Sequence, residues 1–254
     1  MRTSNPALSD KAFTGVERSG PPMTLGGTVN KTAMLLALSL ITAMVTWGMA
    51  WDSIQAAQAG GEMNPMLQPL MWGGAIGGFV LALICIFKKT AAPFVAPLYA
   101  LAEGLFLGAV SAFFEIRFPG IVMQAVGLTF GTLLALLMAY RSGMIKVTQN
   151  FRLGVVAATG AVALIYLVNI GMRLFGFEGM GFIHDSGPIG IGFSLVVVAI
   201  AALNLVLDFD FIENAVAAGA PKYMEWYAAF GLMVTLVWLY LEMLRLLSKL
   251  RGGD

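Results

Sequence analysis

The sequence predicts an all-α integral membrane protein, a seven-transmembrane helical bundle. Three observations carry that prediction. Hydrophobic residues make up 59% of the 254-residue chain and charged residues only 11%, whereas a soluble domain carries about 25% charged residues to meet water. Seven predominantly apolar stretches follow one another along the chain, each of roughly 18 or more residues and so able to cross a hydrocarbon core ~30 Å thick. Lys and Arg gather in alternate connections, the asymmetry that orients membrane helices.

Residues 1–29 begin MRTSNPALSDKAF and pass through Gly20, Pro21, Pro22, Gly26 and Gly27. They are polar and turn-rich, lack the apolar core of a signal peptide, and read as a flexible cytoplasmic arm. Residues 30–254 read as one transmembrane domain, because no repeat, low-complexity tract or Pro/Gly-rich linker divides them. The first span, Thr32–Trp51, follows Arg2, Lys11, Arg18 and Lys31, and the connection after it, Asp52–Gln68, has no basic residue. The second, Pro69–Phe87, is closed by Lys88 and Lys89. The third, Pro93–Phe114, is followed by Arg117 alone, and the fourth, Ile121–Tyr140, by Arg141, Lys146 and Arg152. Arg173 follows the fifth span, Leu153–Met172, and Lys222 the sixth, Gly190–Leu207; the seventh is Ala228–Leu247. The basic connections place the N-terminus inside. Seven spans then put Arg245, Lys249 and Arg251 outside, against the rule; a last segment that enters and returns is the alternative.

Enzyme chemistry finds no foothold. There is no phosphate-binding glycine loop, no GxSxG elbow and no HExxH. Cys85 is alone in an apolar run, where a cysteine acts as a small hydrophobe. His184, in the outer loop FIHDSGP, reads as a surface residue with no His/Cys cluster to complete a transition-metal site. No cofactor and no nucleic-acid partner are expected. The sixteen Met residues are dispersed rather than spaced as ligand sets. Glycines say more about packing: Gly73, Gly74, Gly77 and Gly78 give two overlapping GxxxG spacings, and Gly104 with Gly108 a third. Small residues four apart let helix backbones approach closely.

A carboxylate in hydrocarbon costs several kcal/mol unless paired, hydrated or protonated, so each one needs a reason. Glu103 lies ten residues past Pro93, about 15 Å into the third span at ~1.5 Å per residue. Glu242 is well inside the seventh, and Asp208, Asp210 and Glu213 crowd the end of the sixth in NLVLDFDFIE. Two readings stand for each. Asp210 and Glu213 are interfacial carboxylates paired with Lys222, Glu103 a neutral hydrogen-bonded group, and Glu242 a partner of Arg245 three residues on; or these acids mark an ion or proton path. Asn169 and Asn204 read as interhelical hydrogen-bonders.

The runs LNLVLDFDFIE, WYAAFGLMVTLVWLYLEMLRLL and PLYALAEGLFLGAVS, in this order and spacing, resemble the Bax inhibitor-1/YccA family of transmembrane proteins, and NPALSDKAF is similar to one bacterial branch of it. The resemblance implies a bundle wrapped around a central last helix in a bacterial inner membrane. It also implies a pH-sensitive calcium leak latched by acids of the sixth and seventh spans. Asp208 matches the family's sixth-span Asp best, with Asp210 second, and Glu242 occupies the place of its seventh-span Asp. Two close carboxylates cannot both ionise cheaply, so one proton becomes a switch; deprotonation offers hard oxygen ligands, from Asp208 and Glu242, to Ca²⁺. Asp208 and Glu242 are thirty-four residues apart, and a plain hairpin turning near Ala220 would leave them ~15 Å apart along the axis. Either Asn214–Glu225 makes a longer excursion, or Glu242 has another partner, Glu103 being the candidate. The YccA resemblance implies a second possible role, a non-conducting regulator that binds another membrane protein, such as a membrane protease, through its GxxxG faces and arm.

Overall fold

The apolar stretches become helices longer than hydropathy marks. The computed structural model describes residues 21–62, 64–183 and 185–252. Among them run α1 (Leu25–Gln58), α2 (Leu67–Phe87), α3 (Ala92–Arg117), α4 (Ile121–Arg141), α5 (Gln149–Leu174), α6 (Pro188–Ala217) and α7 (Met224–Arg251), with short 3₁₀ turns at Lys89–Ala91 and Gly181–Ile183. All seven helices are long and apolar enough to cross a membrane, and no named strand occurs among the described residues. His184 and residues 1–20 of the arm lie outside the described residues.

Hydropathy reports the part of a helix that lipid solvates, while backbone hydrogen bonding continues through the polar turns beyond. The 34 residues of α1 span ~51 Å at 1.5 Å each, so its ends pass well beyond a ~30 Å hydrocarbon core. It begins at Leu25, within the segment read as arm, because Thr24 caps it: the Thr24 side chain accepts the Gly27 N–H at 3.0 Å. Likewise α6 carries Asp208, Asp210 and Glu213 on unbroken helix to Ala217. Gly219 stops it in the left-handed conformation (φ 67°), and the Gly219 and Ala220 N–H groups return to Val216 and Ala215 carbonyls. Only residues 218–223 separate α6 from α7, so the longer excursion considered from sequence does not occur.

The described residues fall into two units. In the unit of residues 21–122 and 212–233, α3 packs between α1 and α2. A Cβ at Gly104 would lie 2.1 Å from the Ser39 carbonyl oxygen, and one at Gly108 2.1 Å from that of Ala43. The α1 backbone occupies the space their side chains would fill. Thr42 bridges the same seam, its Oγ1 donating to the Leu101 carbonyl at 2.9 Å. Of the overlapping spacings in α2, Gly74 and Gly78 make the contact: Gly74 abuts the Ala102 carbonyl and Gly78 the Glu103 carboxylate, whereas a Cβ at Gly73 or Gly77 would meet nothing within 4 Å among the described residues. The expected packing role of Gly73 and Gly77 thus passes to their neighbours, since one residue turns the helix by ~100°. Tyr99 meets Phe230 edge-on at 4.9 Å, and Phe230 is fully buried.

In the unit of residues 123–211 and 234–252, Asn204 Nδ2 donates across to Thr159 Oγ1 at 2.8 Å, tying α6 to α5. Tyr140 packs on Phe209, and Lys249 Nζ, buried, donates to the Gly190 carbonyl at 2.9 Å. Exposed Leu, Ile, Phe, Met and Trp side chains cover the outward faces, as lipid requires. The most apolar window of α7 is 56% buried, against 17% for α2, α4 and α5, so α7 is the most enclosed helix.

Candidate functional site

Glu242 is the most developed polar site within the spans. It is only 2% exposed, eighteen residues into α7 (224 to 242). Its Oε1 accepts from the Tyr166 hydroxyl at 3.0 Å and from Arg245 Nη1 at 2.6 Å. Arg245 Nη1 also donates to the Tyr166 oxygen at 2.5 Å, and its guanidinium lies 5.2 Å over the Tyr166 ring. The helix supplies half of this geometry, because residues three apart share a face; α5 supplies the rest through Tyr166. Oε2 is buried and has no hydrogen-bond partner among the described residues. One oxygen is thus held by a cation and a phenol, and the other is left bare, an arrangement able to bind a proton or a cation.

Asp208 is wholly buried in α6, in the same unit as Glu242. The Lys249–Gly190 contact sets their relative depth. From Gly190 to Asp208 is eighteen residues, from Lys249 back to Glu242 seven, a difference of eleven, or ~16 Å at 1.5 Å per residue. The two acids therefore stand at different depths and do not meet as one pair. Asp210 accepts from Arg152 Nη2 of α5 at 2.6 Å; the pairing with Lys222 considered from sequence gives way to one across α5 and α6. Glu103, in α3, lies beside Gly78, its Oε2 3.0 Å from where a Cβ would stand, and hydrogen-bonds Tyr99.

Asn169 departs from the interhelical role. Its Oδ1 accepts the Met180 N–H at 2.8 Å and so fastens the loop after α5 rather than another helix. Lys222 instead meets Glu225, a fully buried carboxylate in the first turn of α7 that also receives Lys31 and Thr24. Sequence reasoning passed over Glu225 because it precedes the apolar run of its helix. Its one trace in the sequence is a capping Thr24 whose third following residue is Gly27 rather than Glu. Cys85 is free and buried. Among the described residues no group of three or more His, Cys, Asp or Glu converges as a metal site.

A protein-family model described as "Bax inhibitor 1 like" matches residues 5–252. No curated protein and no solved structure matches the chain.

Proposed function

The chain belongs to the Bax inhibitor 1-like family and is a multi-pass membrane protein, and from that premise we propose that it is a pH-sensitive cation leak, passing Ca²⁺, in a bacterial inner membrane with its N-terminus in the cytoplasm. The observation that carries this reading is the bare oxygen of Glu242, buried inside a helix long enough to span the membrane. A buried oxygen that a structural role would satisfy is left open here, and intramembrane acids otherwise mark ion and proton routes.

In this reading Ca²⁺ is cargo. Ionised Glu242 draws Tyr166 and Arg245 onto Oε1 and presents Oε2 as a hard oxygen ligand. Protonation removes the negative charge, weakens the hold on Arg245 and withdraws that ligand, so the low-pH state passes fewer cations. Asp208, at another depth, serves as a second station on the same route rather than as a proton-sharing partner. Glu103 and Asp210 are secondary positions, Asp210 being held by Arg152.

The test is Ca²⁺ entry into dye-loaded liposomes carrying the purified protein, compared between about pH 5 and about pH 8. Wild type should conduct more at pH 8 than at pH 5, and Glu242→Gln should flatten that dependence. Asp208→Asn should lower flux at every pH. No flux above empty liposomes would remove the leak and leave the partner-binding regulator as the reading to pursue.

A further inference from the structure

Helix α1 opens with half of a capping box. In the full motif the N-cap Ser or Thr accepts the N–H of the third residue on, and that residue, Glu or Gln, reaches back to accept the N-cap N–H. Thr24 performs the first half toward Gly27, but Gly27 has no side chain with which to answer. The missing acceptor comes from Glu225, in the first turn of α7: its Oε1 takes the Thr24 N–H at 2.8 Å and the Thr24 hydroxyl at 3.0 Å. A Cβ on Gly27 would lie 2.2 Å from that same oxygen. Glycine here leaves room for a carboxylate delivered from the far end of the sequence.

Other groups converge on the same carboxylate. Lys31, one turn further along α1, donates to Oε2, and Lys222 donates to Oε1 at 2.7 Å. The Lys31 ammonium also stands 5.5 Å over the Trp226 ring. The N-terminus of α1 adds its own partial positive charge. Beside the cluster Pro22 and Pro221 form an antiparallel bridge, and the N–H of buried Met23 donates to the Ala220 carbonyl at 2.7 Å. Neither proline has an N–H, so theirs is the non-hydrogen-bonded kind of pair, with Cα atoms about 4.5 Å apart.

We propose that Glu225 is the anchor of a conformational clasp that locks the chain entering α1 to the chain entering α7, so that the segment around Pro22–Lys31 governs the mobility of the helix that carries Glu242. The reason is the chemistry of the contact. A buried carboxylate is stable only while its cations and donors remain, so the contact holds or releases as a set. A seam of apolar side chains would loosen by degrees.

Amide hydrogen exchange on the purified full-length protein tests this without reference to conduction. Glu225→Gln should raise exchange at least tenfold over both residues 22–31 and residues 220–230, leaving α2 unchanged. Gly27→Glu combined with Glu225→Ala, which vacates the space beside residue 27, supplies a local capping box; it should restore protection at 24–28 while 220–230 stay fast, separating helix capping from the clasp. Cysteines at positions 22 and 221, within disulfide reach, should slow exchange at 220–230 in the Glu225→Gln background when oxidised and release it on reduction. Thr24→Val, which keeps both lysines, is the milder variant if Glu225→Gln does not fold, and should show the same two-sided rise. Wild-type exchange at 220–230 in whichever of these two variants folds overturns the proposal, whatever the liposomes show.

Discussion

Glu225 and Glu242 are both carboxylates of α7 with almost no exposed surface, yet their surroundings differ. Glu225 is enclosed by two ammoniums, a hydroxyl and a backbone N–H, whereas Glu242 has a phenol and a guanidinium on one oxygen and nothing among the described residues on the other. The first is built to stay put; the second has coordination to spare. Tyr166 orients the second. Tyr166→Phe removes a hydrogen bond to a charged group, a type worth about 1.5–3 kcal/mol, and because Arg245 remains the loss should fall at the low end. It is read as a fall of a few degrees in thermal unfolding in detergent. The same variant should also lower Ca²⁺ flux at pH 8, because the carboxylate loses the phenol that orients it. An unchanged flux with lowered stability would make Tyr166 a purely structural partner.

At the scale of elements, GxxxG spacings locate close packing but not its face. Gly104 and Gly108 press on α1 and Gly74 on α3, while a Cβ at Gly73 or Gly77 would meet nothing within 4 Å among the described residues. Gly108→Leu must therefore part α1 from α3 and should unfold the protein or leave it aggregated on gel filtration; even Gly108→Ala, whose Cβ would meet a backbone carbonyl that cannot rotate away, should cost about 1–3 kcal/mol. Gly77→Leu, chemically the same change as Gly108→Leu, should be nearly silent in the same assay. A loss of monomer on Gly77→Leu alone would instead reveal a contact with another chain through that face. The α6–α7 connection teaches a related lesson. Its six residues and the glycine turn at Gly219 keep the helices in simple register, which holds Asp208 and Glu242 at separate depths.

At the scale of the whole molecule, the seven helices long and apolar enough to cross a membrane lead to a prediction of sidedness: the connections near residues 60 and 145, three spans apart, should face opposite sides. Single cysteines introduced near residue 60 and near residue 145, with Cys85→Ser as background, should react with an impermeant maleimide from opposite faces of sealed vesicles. Labelling of both from one face would remove the seven-span topology. The sequence by itself determined the solvent, the number of spans and the family, because hydrophobic run length and the order of motifs are one-dimensional properties that the bilayer and descent read directly. It also brought Glu242 and Arg245 together, since both lie on one helix face three residues apart. Only tertiary structure decided which glycines touch, that Arg152 rather than Lys222 holds Asp210, and that Glu225 closes the cap of a helix 201 positions earlier. Those contacts depend on helix rotation and relative depth, and both are set when side chains from distant segments compete for the same buried space.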